Sequence, residues 1–363
     1  MPGMSKGPER TIGVDVGDRY SHIYILDADG EVIEEGRVRT TSAALSRRFG
    51  GEEQARVVLE VGPHSPWISR LIAAAGHEVI VANPRKLRLI YETDRKCDRT
   101  DAQYLARVGR LDPELLAPVV HRSEDVQADL AVIRSRSALV DARTALVNHA
   151  RSTVKAMGGR LPKCSTATFP DKVEEHVPEA LLPAILPVLD AITELNAQIR
   201  EMERWIDELA TTEYPETAVL TQVAGVGTLT ALCYMLTLET PDRFRKSRSV
   251  GPYLGLVPAR HDSGESSPQL RTTKAGDVML RKLLTQSAHY TLGPFGPDSD
   301  LRRWGLGLAE RGGAAAKKKA IVAVARKLAV LLHRLWVTGE VYEPLRNQAL
   351  PADLPESNDA IAA

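Results

Sequence analysis

Between positions 124 and 157 the chain contains no proline and no glycine, and apolar pairs return every seven residues at Val132/Ile133, Leu139/Val140 and Leu146/Val147. That pattern predicts one long amphipathic helix, stopped by Gly158-Gly159 and Pro162. Past Pro187 a second stripe, Leu189, Ile192, Leu195, Ile199, Met202, Ile206 and Leu209, runs at spacings of three and four. It fits a coiled coil, either folded back on the first helix or shared with another subunit, and equally an ordinary helical bundle. Neither version carries chemistry. The helices therefore separate the parts that do, and the chain divides into residues 1–118, a helical segment 119–212, a third part 213–339 and a tail 340–363. The tail is acidic, rich in Pro and Ala, and expected to fray.

The first part reads as a sheet. Residues 11–17 are a short β-branched run carrying Asp15 and closed by Gly17; residues 20–26 form a second strand, followed by Asp29-Gly30, a hairpin signal. A third strand over 31–39 completes an antiparallel meander. After a short polar helix come a strand over 56–62 carrying Glu60, a helix over 66–76 and a strand over 78–82, stopped by Asn83-Pro84. Strands first and then alternating helix and strand predict a mixed sheet with helices packed on it.

A helix opens at Asp98, and Asp101, three residues on, shares its face. Taken alone, the pair is what helix capping and the helix dipole favour. Asp15 and Glu60 stand in apolar strands, where a carboxylate needs a partner, a metal or a solvent-facing strand end. Together the four acids occur in the order Asp, Glu, Asp, Asp. Hard oxygen ligands of this kind suit Mg²⁺ or Mn²⁺ and not zinc.

Net charge is zero, but its distribution is uneven. Positions 243 to 334 hold 18 Lys or Arg against 6 Asp or Glu, whereas 171 to 216 hold 12 acids against 3 bases. The basic stretch contains Arg243, Arg245, Lys246, Arg248, Arg260, Arg271, Lys274, Arg281, Lys317, Lys318, Lys319, Arg326 and Lys327. A solvated helix face accounts for some of them; an excess over so long a stretch fits a polyanion partner. Ahead of it, Gly225 and Gly227 form a glycine turn at a helix start, which can present backbone N–H groups to a phosphate, as in helix-hairpin-helix DNA binders. Ser263-Gly264 lies within the basic stretch, where Arg260 and Arg271 could neutralise a phosphate brought to the serine. As a nucleophile the serine needs a base or metal nearby, and a plain surface turn accounts for the dipeptide equally.

No apolar run reaches the length of a bilayer, and residues 1–10 lack the apolar core of a signal peptide, so a cytoplasmic location without membrane contact is expected. Cys97, Cys164 and Cys233 are odd in number and far apart, which argues against a disulfide framework or a zinc site.

The run Gly13-Val14-Asp15, Leu59-Glu60, Asn83-Pro84 and Lys96-Cys97-Asp98-Arg99-Thr100-Asp101-Ala102 is similar to the N-terminal domain of the DEDD transposases of the IS110 type. Ala224-Gly225-Val226-Gly227, Tyr253-Leu254-Gly255-Leu256-Val257-Pro258, Ser263-Gly264, Lys274-Ala275-Gly276-Asp277 and Leu280-Arg281 resemble that family's C-terminal transposase domain. The chain departs from the family pattern at Ala224, where proline is usual, and at Pro63-His64, where an aromatic residue often follows the glutamate. The resemblance implies a RuvC/RNase H-like α/β domain followed by mainly helical parts. It also implies Asp15, Glu60, Asp98 and Asp101 as ligands of Mg²⁺ (or Mn²⁺), and Ser263 as a nucleophile forming a transient phosphoserine with DNA. The partners implied are donor and target DNA, an element-encoded guide RNA and further copies of the chain in a dimer or tetramer. Two competing readings stand beside it: a RuvC-like structure-specific endonuclease that hydrolyses junctions with water, and a nucleic-acid-binding protein without chemistry.

Overall fold

In the computed structural model residues 9–85 and 98–347 are described, apart from positions 262, 265, 267 and 269. Lys96 and Cys97 of the acidic motif, and the tail from 348 on, lie outside the described residues. The chain forms two compact units, Met1–Glu124 and Asp125–Ala363.

The first unit is built from β1 (Thr11–Val16), β2 (Tyr20–Leu26), β3 (Val32–Arg39), α1 (Ser42–Gly50), β4 (Arg56–Glu60), α2 (Ser65–Ala74), β5 (Glu78–Ala82) and α3 (Asp98–Leu111). The sheet order is β3-β2-β1-β4-β5; β1, β2 and β3 are antiparallel, and β1, β4 and β5 are parallel. This is the mixed sheet with flanking helices that the alternation of strands and helices predicts.

Period-two alternation divides the side chains of β1, β2, β4 and β5 between two faces. Ile12, Val14, Ile23, Ile25, Val57 and Leu59 point to one face, where they pack with Leu45 and Phe49 of α1 and Ile68 and Ile72 of α2. Each such fully buried aliphatic side chain contributes roughly 1.5–3 kcal/mol. On the other face Val58, Ile80 and Ala82 meet Leu105, and Tyr24 and Leu26 meet Ala102 and Ala106, so that face is roofed by α3. The roof sits close because Gly13 has no side chain: a Cβ there would lie 2.0 Å from the Ala102 carbonyl oxygen and 2.6 Å from the Ala106 nitrogen.

The second unit contains α4 (Glu124–Ala156), α5 (Phe169–Val173), α6 (Leu182–Thr212), α7 (Thr217–Thr221), α8 (Thr228–Leu238), α9 (Val250–Tyr253), α10 (Val278–Leu292), α11 (Asp300–Ala309) and α12 (Gly313–Thr338). The 33-residue α4 is about 50 Å long at 1.5 Å per residue. Helix α6 folds back on it within one chain. Leu130 and Ile133 share a core with Ile206 and Ala210, Arg143 donates to Asn196 Oδ1 at 2.8 Å, and Val147, Ala150 and Val154 pack with Ile185, Leu189 and Ile192. Pro187 lies inside the first turns of α6, so the helix begins earlier than the stretch free of proline.

By length and composition 179–212 could cross a membrane. Its apolar stripe is spent on the helical hairpin, however, and Glu194, Glu201, Asp207 and Glu208 are exposed along the rest of it, the pattern of an amphipathic bundle helix. Helix α8 is buried from Thr230 through Leu238 and forms the centre of the C-terminal core, against α10 and α12. Tyr234 on it donates to the Ala329 carbonyl at 2.6 Å, and burial raises its phenol pKa well above the ordinary value. Cys233 is buried and Cys164 half-buried.

Candidate functional site

Three adjacent strands converge on one level of the sheet. Val14 pairs with Leu59 in the parallel register of β1 and β4, so the next residues, Asp15 and Glu60, lie side by side at the strand ends. On the other side of β1, Asp15 pairs with His22 of β2. Gly13 and Val58 both face α3, as the contacts of Ala102 with the former and Leu105 with the latter require, and two residues on, Asp15 and Glu60 face the same way.

Helix α3 supplies the remaining acids from above. Asp98, Asp101, Ala102 and Leu105 follow helical spacing on its sheet-facing stripe; Asp101 is buried, whereas Asp98 is exposed in the first turn. His22 Nε2 lies 3.8 Å from Asp98 Oδ2, tying β2 to the helix start. Register and helix face thus bring all four predicted acids to one side of one sheet end. Among the described residues, no three His, Cys, Asp or Glu side chains are drawn close enough to hold a metal. The donor set of four carboxylates is nonetheless of the kind that a hard divalent cation takes. His22 was not singled out by its chemistry in the sequence, although the alternation Tyr20, His22, Tyr24, Leu26 places it on the same face.

Pro63-His64 leaves the end of β4. His64 Nε2 is 3.4 Å from Asp18 Oδ1, and its Nδ1 accepts from Trp67 Nε1 at 3.2 Å, which links the exits of β1 and β4.

Ser263 lies in the other unit, exposed near the tip of an arm, a loop whose limbs meet at two isolated bridges, Pro258 with Thr272 and Ser263 with Ser266. Ala259 N donates to Arg271 O at 2.8 Å and Thr273 N to Val257 O at 2.9 Å; at the tip, Ser263 and Ser266 exchange backbone hydrogen bonds at 3.0 Å. Gly264 follows with a φ of 56°, a left-handed turn position suited to glycine. The base of the arm is a clasp between the two flanking motifs. A Cβ on Gly255 would lie 2.4 Å from the nitrogen and oxygen of Ala275, and one on Gly276 would lie 2.2 Å from the Tyr253 carbonyl. Arg281 closes the clasp, donating to the carbonyls of Ala275 (2.6 Å), Gly276 (2.9 Å) and Leu254 (3.2 Å).

The basic side chains are therefore not one surface. Arg281 is turned inward, and Arg243 lies over the Tyr253 ring at 5.5 Å and donates to Leu238 O. Arg245, Lys246 and Arg248 are exposed ahead of α9, Arg260 and Arg271 stand on the arm, and Lys274 is exposed at its base with a φ of 51°. Lys317, Lys318, Lys319, Arg326 and Lys327 are exposed on α12. Gly225, with a φ of 89°, packs its bare Cα against the Tyr290 ring, where a Cβ would lie 2.7 Å from Cδ1; Gly227 precedes the first residue of α8 and has open space around it.

Comparison with known proteins covers both units. Residues 12–158 match a family model described as a transposase of the DEDD, IS110 type, and residues 217–300 match one described as a transposase of the IS116/IS110/IS902 family. The transposase for insertion sequence element IS1111A of Coxiella burnetii is 29% identical over 344 residues, covering 92% of this chain and 91% of that protein. The transposase for insertion sequence element IS1328 of Yersinia enterocolitica is 27% identical over 283 residues, 76% of this chain and 82% of its own length. With one model spanning the carboxylates and the other reaching across Ser263, in the order in which the two units occur, the chain belongs to the IS110 family of insertion-sequence transposases.

Proposed function

We propose that this transposase cuts and rejoins DNA through a serine-linked intermediate assisted by a divalent metal, with Asp15, Glu60, Asp98 and Asp101 holding the metal and Ser263 attacking the phosphodiester. The observation that carries the reading is the register of β1 and β4, which sets Asp15 beside Glu60 under the helix bearing Asp98 and Asp101. A bound Mg²⁺ or Mn²⁺ supplies charge stabilisation at the phosphate and lowers the pKa of an attacking hydroxyl. The chain's own residues do the rest. The four carboxylates bind the cation, and His22 orients Asp98. Ser263 Oγ forms a bond to phosphorus while the bond to one strand oxygen breaks; the serine proton is released and the departing oxygen gains one. Rejoining runs the same exchange backwards, so the bond energy is kept and no external energy source is needed.

In this reading residues 1–118 are the metal-binding catalytic domain, 119–212 a helical spacer and 213–339 the domain that delivers the serine. The partners are donor and target DNA in the cytoplasm, an element-encoded guide RNA and one or more further copies of the chain. The exposed bases on the arm and on α12 support a polyanion partner, whose binding should weaken steeply with salt through counterion release.

A second reading is favoured by the location of Ser263 in a different unit from the carboxylates: a junction endonuclease that hydrolyses with water and needs only the acids. Strand exchange between supercoiled donor and target DNA separates the two. The serine mechanism requires Ser263→Ala to abolish exchange, and full exchange by that variant would rule it out. Loss of cleavage in both Asp15→Ala and Asp101→Ala is expected; normal cutting by both would remove the metal assignment. RNA that co-purifies with the protein and pairs with donor or target strands would be the guide.

A further inference from the structure

One face of α12 alternates in character turn by turn. Lys318/Lys319, Val322/Ala323, Arg326/Lys327 and Val330/Leu331 succeed one another along it, and all line a single cavity of about 1500 Å³. The two basic turns lie roughly 12 Å apart, with an apolar turn between them. Leu256, Pro258 and Leu270, with Arg271 and Lys274, form a second wall at the base of the serine arm, and Leu301 and Trp304 of α11 form a third. Trp304 is 37% exposed, and Lys327 Nζ sits 4.0 Å from its ring centroid.

The cavity is built rather than incidental. Residues 340–347 close one end as a strap: Asp300 N donates to Pro344 O at 2.8 Å, Asn347 N to Asp300 Oδ2 at 2.8 Å, and Tyr342 N to Gln222 Oε1 at 2.9 Å. Nine basic and three acidic side chains line the whole. Glu340 takes up Arg334 and Arg346 at the strap, so the positive excess is carried by Arg271, Lys274 and the two basic turns of α12.

A double helix offers such a surface phosphates but hides its base faces in the stack, and would leave the apolar turns and the tryptophan unused. An unpaired strand offers both chemistries: charged phosphates at intervals and flat apolar bases between them. We propose that this cavity is a binding site for a single strand of nucleic acid, with phosphates on the basic turns of α12 and an unstacked base against Trp304. The strand comes either from DNA opened during exchange or from an unpaired stretch of guide RNA. The inference rests on the reading of the chain as a nucleic-acid recombinase and adds to it the recognition of an unpaired strand next to the serine arm.

Fluorescence anisotropy of the full chain with labelled short oligo-thymidine, oligo-uridine and a duplex of matched length tests it. At least one single strand should bind more tightly than the duplex once salt is raised; preference for thymidine names DNA as the source, preference for uridine RNA. Trp304→Ala should weaken single-strand binding about tenfold, as loss of one stacked base does, with duplex binding within about twofold and Trp304→Phe retaining most of the affinity. Should Trp304→Ala fail to fold, the exposed double change Arg326→Gln with Lys327→Gln should lower the salt slope for single strands by about 1.4. An unchanged slope, single-strand affinity indifferent to Trp304, or a parallel loss for single strands and duplex would each overturn the site. Strand exchange by the unaltered protein is measured alongside: exchange with no single-strand preference sinks only the cavity, whereas Trp304-dependent single-strand binding without exchange sinks only the recombinase reading.

Discussion

Gly13 and Ala102 touch backbone to backbone: a Cβ on the glycine would come within 2.0 Å of the Ala102 carbonyl oxygen. That contact sets how closely the helix carrying Asp98 and Asp101 lies over the strand carrying Asp15. Because the obstacle is helix backbone, Gly13→Ala has to lift α3 as a whole. Overpacking of this kind costs about 1–3 kcal/mol. The expected outcome is a folded protein with a lowered melting temperature in which metal-dependent DNA cleavage falls far more than stability. Cleavage at the unaltered rate would show that the spacing of the two elements does not matter to the site.

Arg281 is expected to act in architecture and not in nucleic-acid binding, since its guanidinium is donated to three carbonyls at the base of the serine arm. Hydrogen bonds from a charged donor are worth about 1.5–3 kcal/mol each at most, and three to one group are not additive. Arg281→Ala should cost about 2–3 kcal/mol in denaturant unfolding, and Arg281→Lys should recover part of that, because all three bonds leave one nitrogen, NH1, whose place an ammonium with three donors can take. DNA binding measured against salt is the control: a phosphate contact would lower the slope by about 0.9 on removal, and a structural residue leaves it unchanged.

That Asp15 and Glu60 are strand acids was legible, because each stands in a short β-branched apolar run; that they share a face was not, since it depends on the parallel register of β1 and β4. That α3 lies on that side was not, since it depends on Gly13 meeting Ala102, residues far apart in sequence. The basic stretch shows the same limit. Charge can be counted along a chain, but the carbonyls that capture Arg281, or those of Thr291 and Gly293 that capture Arg302, exist only once the loops have closed. Helix α11 carries Gly305 and Gly307 inside it, which lower its helix propensity; Gly305 is there because a Cβ would lie 2.5 Å from Val324 Cγ2 of α12. That Trp304 forms a cavity wall depends on segments far apart in sequence, Leu256 to Lys274 and residues 318 to 347, closing around it.

His121 makes the first unit sensitive to acid. Its Nε2 lies 2.9 Å from Ser65 Oγ, which itself donates to Gly62 O, so the ring donates through Nε2–H. Burial, then Arg70 and Arg122, push its pKa below the ordinary value. With the folded pKa depressed, the stabilising contribution is complete above the unfolded value of about 6.5 and is lost as pH falls through that value toward the folded one. Melting temperature should therefore decline as pH falls below about 6.5, and His121→Gln should flatten part of that decline. Equal acid sensitivity in the two proteins would assign the effect to other groups.

Asp277 serves two partners from one carboxylate, and their magnitudes decide which counts. Its Oδ1 accepts from Leu280 N at 2.9 Å as the N-cap of α10, and its Oδ2 lies 3.1 Å from Arg134 NH2 of α4. The arginine side chain is 52% exposed, so solvent screening holds the ion pair to well under about 1 kcal/mol. The cap alone is worth about 1 kcal/mol. Asp277→Ala should thus cost about 1–2 kcal/mol and Asp277→Asn, which can still cap, only a fraction of that, while Arg134→Ala should cost less than about 0.5. Combining Asp277→Ala with Arg134→Ala isolates the pair: a coupling energy above about 1 kcal/mol in urea unfolding would mean that the link between α4 and α10, and not the cap, is what Asp277 contributes.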